Sequence, residues 1–249
     1  YLYWKETGDI SVWQGIAEDA IVMNLDDLLC VGITNHFLFS STIDRNKHRI
    51  PGAVLSEIIE GSRRFFARMQ EQGVNIEYLG GETADVGDLV RTIAVNGTLT
   101  ARWPKNRIIS NERIKAGDVI VGLASFGQSI YEDRYNSGIA SNGLTSARHD
   151  LLANQYAHDY PETFESTMDR SVVYTGPYRL TDPVPGMSDL NIGQLLLSPT
   201  RTFAPLVQKM FEAHFDHIHG MIHCSGGGQT KCLKYLPDGL AVIKDDLFV

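Results

Sequence analysis

Near its start this chain sets carboxylates inside an apolar helical repeat, an arrangement few folds tolerate. Between residues 18 and 29, Ile21, Val22, Leu25, Leu28 and Leu29 recur at helical spacing, while Asp19 and Asp26 fall about two turns apart. Asp19, Met23, Asp26 and Asp27 therefore lie near one another along the helix. A carboxylate that approaches a core needs a cation or hydrogen bonds to compensate it, and Mg²⁺ shared with substrate phosphates is a usual hard-cation answer. The same spacing also reads as a solvated acidic face with a helix cap.

The 249 residues, 43% hydrophobic, can bury one large core or two moderate ones. A net charge of −8 argues against a nucleic-acid partner, which normally shows as a basic patch. The one basic cluster, Arg45, Lys47, His48 and Arg49, is short and reads as a solvated loop. No apolar run approaches the roughly 20 residues of a membrane span, and the N-terminal residues lack the layout of a signal peptide. A cytoplasmic protein without a membrane partner is expected. Cys30, Cys224 and Cys232 are an odd number without paired spacing, so neither a disulfide framework nor a zinc ribbon is indicated. His214, His217, His219 and His223, with Cys224 behind, admit a zinc reading. The intervening Phe215, Ile218, Met221 and Ile222 look instead like a helix end running into a strand, on which the histidines would diverge into packing or substrate contacts.

Helical and extended patterns alternate along the chain. Residues 13–31 read as a helix, 37–43 as a strand and 51–72 as a second helix, with Pro51 suited to its first turn and Gly73 beyond its end. Residues 76–79 and 89–101 are strand-like. After a polar stretch at 104–117, the continuous apolar run at 118–124 reads as a buried strand. A boundary there divides the chain into 1–112 and 113–249. A helix is expected at 144–156, a long irregular insertion at 161–191 that is a lid or surface excursion, and a helix after Pro199.

Glycine-punctuated turns carry the remaining signal. Gly80, Gly81, Glu82, Thr83, Ala84 and Asp85 follow a strand and present oxygens at its end. Ser125, Phe126 and Gly127 follow the run at 118–124, while Ser141, Asn142 and Gly143 open a helix whose N–H groups attract phosphate or are merely capped. Ser198, Pro199, Thr200 and Arg201 pair a hydroxyl with a guanidinium, as an anion clamp does. The triple glycine Gly226, Gly227 and Gly228 points to close approach of a ligand or another backbone.

In this order the motifs resemble the aminoimidazole ribonucleotide synthetase family, the phosphoribosylformylglycinamidine cyclo-ligases. The family's first helix is matched by Gly15, Ile16 and Asp19 through Leu28, with Asp26 in place of an asparagine. Its Gly-Gly-Glu-Thr-Ala-Glu loop is matched by Gly80 through Asp85. Its Gly-Asp-Val strand and following Ser-Gly turn are matched at Gly117 to Val119 and Ser125 to Gly127, and its Ser-Asn-Gly, Pro-Thr-Arg and Thr-Gly-Gly-Gly turns at Ser141 to Gly143, Pro199 to Arg201 and Ser225 to Gly228. Ala140 stands where the family has a histidine, and 128–139 is an insertion. Family segments upstream and downstream are not matched, so the chain is expected to be the central piece of a longer protein.

The resemblance implies an α/β (α+β) fold of two domains with mixed sheets flanked by helices. The first, 1–112, would bind ATP and dimerise; the second, 113–249, would hold the substrate side. It implies an ATP-dependent ligase of purine biosynthesis, with ATP and Mg²⁺ as cofactors, a small ribonucleotide as substrate and a homodimer as assembly. Asp19, Asp26, Asp27, Gly81, Glu82, Thr83 and Asp85 are the expected ATP-binding residues, with Asp19, Asp27 and Glu82 on the metal. Ser125, Gly127, Ser141, Asn142, Gly143, Thr200, Arg201, Gly226, Gly227 and Gly228 are expected to line the substrate, and Asp27, Glu82 and Arg201 to be catalytic. Other ATP users of the same fold family, thiamine-phosphate kinase and selenophosphate synthetase among them, and a non-catalytic interaction module are the competing readings.

Overall fold

The computed structural model describes residues 1–245; the last four positions of the expected second domain, 246–249, lie outside the described residues. Helix α1 (Leu2–Thr7) precedes α2 (Gln14–Leu29), β1 (Phe37–Arg45), α3 (Gly52–Glu71), β2 (Ile76–Asp85) and β3 (Ile93–Ala101). The expected helix, strand and helix at 13–31, 37–43 and 51–72 match α2, β1 and α3 to within two residues at either end. Strand β1 is the centre of the sheet, parallel to β2 and antiparallel to β3. A parallel pair needs a crossover, which α3 supplies.

Phe37, Phe39 and Ile43 alternate along β1 onto the buried face, where α2 brings Ile21, Val22, Leu25 and Leu29. Helix α3 adds Val54, Ile58, Phe65 and Met69 at steps of four, seven and four, one helical face. Gly97 on β3 is required where it stands, because a Cβ there would meet the Phe39 ring and lie 2.9 Å from Ala20 O. The sheet and helices make the mixed α/β layer expected from the alternating pattern.

Beyond β3 come α4 (Ala140–Leu151), α5 (Gln155–Asp159), the hairpin of β4 (Pro183–Val184) and β5 (Met187–Asn191), α6 (Ile192–Leu196) and α7 (Ala204–His214). Ala204, Val207, Phe211 and Phe215 join the core beneath the sheet, so α7 packs against α2. A second core gathers Leu2 and Tyr3 with Leu152, Tyr156, Phe164, Val173, Tyr174, Leu180, Ile192 and Leu196.

The 161–191 segment is neither lid nor surface excursion: Phe164, Val173, Tyr174 and Leu180 are its anchors in the second core, none above 3% exposed. Residues 118–124 are not a strand but exposed coil, with Val119 at 85% and Val121 at 72%, because no described strand pairs with them. The stretch after α7 passes through a short 3-10 turn and then coil, not a strand. Gly80 through Asp85 lie within β2 and not beyond it; the ladder to β1 slips between Phe39 and Ser41 and then resumes. Strand β3 starts at Ile93 because residues 86–90 form a turn, and the helix expected at 144–156 begins at Ala140 and breaks before α5. Among the described residues no helix is long and apolar enough to cross a membrane.

Candidate functional site

The carboxylates of α2 meet a strap of chain, residues 198–203, that leads into α7. Asp19 Oδ1 accepts from Thr200 N at 2.8 Å and from Thr200 Oγ1 at 2.6 Å. Two turns on, Asp26 Oδ1 accepts from Thr202 Oγ1 at 2.6 Å and Oδ2 from Phe203 N at 3.0 Å. Thr202 Oγ1 in turn accepts from Ala204 N at 3.1 Å, which satisfies an otherwise orphan donor at the start of α7. The strap is thus pinned to α2 at two points, about 10 Å apart at 1.5 Å rise per residue.

Burial sets the electrostatics of this face. It raises the Asp19 carboxyl above the usual range, against the opposing pull of the Thr200 hydrogen bonds. Asp26 is pushed up to about 6 by burial, with the bonds from Thr202 and Phe203 acting the other way. Glu18, beside Asp19, rises to about 7 because burial outweighs its 2.6 Å ion pair with Arg68. Glu18 and Arg68 lie in a cleft of about 540 Å³ that Gly15, Arg64, Arg134 and Pro199 also line.

Around Thr200 the structure brings together much of the expected substrate side. Ser141 N donates to Thr200 Oγ1 at 3.0 Å, which places the first turn of α4, with Asn142 and Gly143, against the strap. Ala140, where α4 begins, sits at φ 56, a left-handed conformation that strains a non-glycine residue. Ser125 Oγ donates to Gly138 O at 3.3 Å. Arg201 Nη1 donates to Ala124 O and Phe126 O, Nη2 to Gly127 O and Glu132, and Nε to Glu132. All five guanidinium N–H donors are therefore taken, and as it stands Arg201 has none left for a further anion.

The remaining expected residues lie elsewhere. Asp27, near the end of α2, keeps its side chain 67% exposed and meets His223 Nδ1 at 2.9 Å. Gly226, Gly227 and Gly228 follow shortly after His223 as an exposed turn, Gly227 and Gly228 at φ 85 and 52. Glu82 pairs with Thr42 in the ladder and so lies on the sheet face opposite Phe39 and Ile43, away from α2. Thr83 pairs with Ile43, and a Cβ on Gly81 would clash with Ser41 O. Asp85 is tied to Lys47 at 3.0 Å, which holds its carboxyl below the usual range. Among the described residues, no group of three or more His, Cys, Asp or Glu side chains is arranged to hold a metal ion.

Sequence reasoning did not single out Glu132, Asn136 or Arg68. Glu132 sits 69 positions before Arg201, and no spacing rule links them. The only signal was the need of a Pro-Thr-Arg guanidinium for a counter-ion.

Residues 3–103, which hold α2, α3 and the whole three-stranded sheet, match the model of the AIR synthase related protein, N-terminal domain. The match is confined to this part of the chain. The similarity extends beyond residue 103 in curated relatives named phosphoribosylformylglycinamidine cyclo-ligase. That of Thermococcus gammatolerans is 31% identical over 214 residues, covering 86% of this chain and 50% of the relative. That of Methanocaldococcus jannaschii is 29% identical over 229 residues, covering 92% and 53%. The chain spans about half the length of the curated relatives it matches. A thiamine monophosphate kinase structure from Aquifex aeolicus overlaps 43% of the chain and 32% of its own, with a TM-score of 0.33 at 14% identity. The AIR synthase related part ends before the strap, so the Thr200 and Arg201 cluster is covered by the longer relatives alone.

Proposed function

We propose that this chain is part of an ATP-dependent cyclo-ligase that closes formylglycinamidine ribonucleotide to aminoimidazole ribonucleotide, releasing ADP and phosphate. One observation carries the reading: relatives bearing the cyclo-ligase name align along 86 to 92% of the chain. The chemistry is compatible with a site that lacks a protein nucleophile. A formamide oxygen is a poor leaving group, so phosphorylation must precede attack by the amidine nitrogen. That asks for positioning and charge neutralisation.

On this reading Ser125, Gly127, Ser141, Asn142, Gly143, Thr200 and Arg201 face the ribonucleotide, with Gly226 to Gly228 closing the far side. Asp19, Asp26, Asp27, Gly81, Glu82, Thr83 and Asp85 belong to the nucleotide side. The residues expected to hold Mg²⁺ do not fit it in this arrangement, because Asp19 is turned to Thr200, Asp27 to His223 and Glu82 to the opposite sheet face. The division at 112/113, a cytoplasmic location and a homodimer are part of the same proposal. The sheet face that carries Leu38, Thr42 and Glu82 is the surface available to a second copy. One observation favours a second reading, an interaction module without turnover, namely the saturation of Arg201.

The deciding experiment measures ADP release by the full-length protein with and without formylglycinamidine ribonucleotide. Release that depends on the ribonucleotide is expected. Equal release without it, or with thiamine phosphate in its place, would sink the proposal.

A further inference from the structure

Arg201 is held by two sets of partners, three backbone carbonyls and one carboxylate. Nη1 donates to Ala124 O at 3.1 Å and Phe126 O at 2.9 Å, and Nη2 donates to Gly127 O at 2.9 Å. Those three carbonyls fix the guanidinium plane by themselves. Nε and the second Nη2 hydrogen form a fork on Glu132, at 2.9 Å to Oε1 and 2.5 Å to Oε2. Two more donors converge on the same carboxylate: Ser129 N at 2.7 Å on Oε2 and Asn136 Nδ2 at 3.1 Å on Oε1. The ion pair is nearly dry, with the two side chains 8% and 11% exposed. A guanidinium fork, a backbone N–H and an amide closing on one anion make a donor set suited to phosphate. Here the chain supplies the anion itself.

Glu132 sits on a loop that joins the 124–127 turn to α4. Gly127 and Asn136 close it with two backbone hydrogen bonds of 3.0 and 2.7 Å, and Gly127 and Gly138 take φ of 94 and 73. Within the loop Ile130 is 87% exposed, and Tyr131 holds one point through its hydroxyl on Thr202 O. Asn136 has an anchor apart from Glu132, because it is buried and also donates to Pro199 O at 2.8 Å. Departure of Glu132 would leave the Arg201 fork and the Asn136 amide in place, facing a vacated anion position.

We propose that this position is a binding site for the phosphate of a phosphorylated ligand, and that Glu132 is its intramolecular occupant, displaced when the ligand enters. The inference deepens, and rests on, the reading of the Arg201 cluster as the substrate side. It also accounts for an arginine whose five N–H donors are all taken within the chain.

The test is calorimetric titration of the chain, of Glu132→Ala and of Glu132→Gln with inorganic phosphate, acetate serving as the carboxylate control and circular dichroism confirming the fold. Glu132→Ala is expected to bind phosphate roughly tenfold tighter than the unsubstituted chain, since the resident anion no longer competes. Adding Arg201→Lys should abolish the gain. Folded variants that bind phosphate no better than the parent would show a purely structural ion pair and overturn the proposal. A gain that survives Arg201→Lys, or one equalled by acetate, would overturn it as well. If Glu132→Ala fails to fold, the near-isosteric Glu132→Gln carries the same expectation. Failure of both to fold would refute the independent hold of the three carbonyls on which the idea stands. No nucleotide or turnover enters the titration, so its outcome is separable from that of the ADP assay.

Discussion

Asp26→Asn should change how stability depends on pH more than it changes stability at any one pH. Asp26 is 3% exposed, and burial lifts its carboxyl from 3.8 to about 6. A carboxyl whose folded pKa is raised binds its proton more tightly in the folded state than in the unfolded one. Its contribution is therefore fully present below about 3.8, falls as pH rises to about 6, and is flat above that. At 1.36 kcal/mol per unit, the loss across that window is about 3 kcal/mol. Asparagine is near-isosteric and stays neutral, so it keeps an acceptor for Thr202 or Phe203 and removes the titration. The difference in unfolding free energy, variant minus parent, should grow by about 3 kcal/mol between the acid and neutral ends, measured from urea midpoints at constant m. A difference that stays level from end to end would mean that Asp26 does not titrate as a buried group, and the pinned-strap account of this face would fall with it.

Thr200→Val strips Asp19 of its hydroxyl donor and leaves Ser141 N without an acceptor, and should lower stability by about 1–3 kcal/mol while Thr200→Ser stays near the parent in thermal melts. Phe164→Ala removes a ring that is 1% exposed and should cost about 3–5 kcal/mol; a melt unchanged by it would restore the view of 161–191 as a surface excursion. Asp27→Asn touches an exposed pair and should leave stability within about 0.5 kcal/mol, while on the proposed function nucleotide affinity drops; calorimetry with ATP that finds no drop removes Asp27 from the nucleotide side.

What the sequence revealed follows the range over which each signal acts. Helices α2 and α3 and strand β1 announce themselves because their burial is periodic within one element, as at Val54, Ile58, Phe65 and Met69. The second core does not, because Phe164, Tyr174 and Leu180 sit in turns and 3-10 pieces without a period, and only the folded chain shows that they meet Tyr3 and Tyr156. Residues 118–124 look like a buried strand on composition alone, yet pairing needs a partner strand, and no described segment provides one. At the candidate site, the Thr200, Arg201, Ser141 and Ser125 cluster was legible as a set of turns. Its internal wiring was not, since the bonds from Thr200 and Arg201 to Ser141, Glu132 and the 124–127 turn span 59 to 77 positions.

The helical carboxylates show why a motif can be seen clearly and its local chemistry still be settled only by the fold. The spacing of Asp19 and Asp26 on an apolar face demanded compensation, and either a cation or hydrogen bonds would have met the demand. In the structure it comes from Thr200, Thr202 and Phe203, the strap that also starts α7. That choice has a consequence for the arginine between them. With the threonines on either side drawn down to α2, Arg201 projects toward the 124–127 turn and Glu132. The acidic helix therefore acts on the anion position at one remove: it fixes the backbone from which the guanidinium reaches out. Substitutions at Asp19 or Asp26 should accordingly move the Arg201 fork and the α4 start together, so that a loss of phosphate binding in Glu132→Ala upon adding Asp19→Asn would trace to geometry and not to charge.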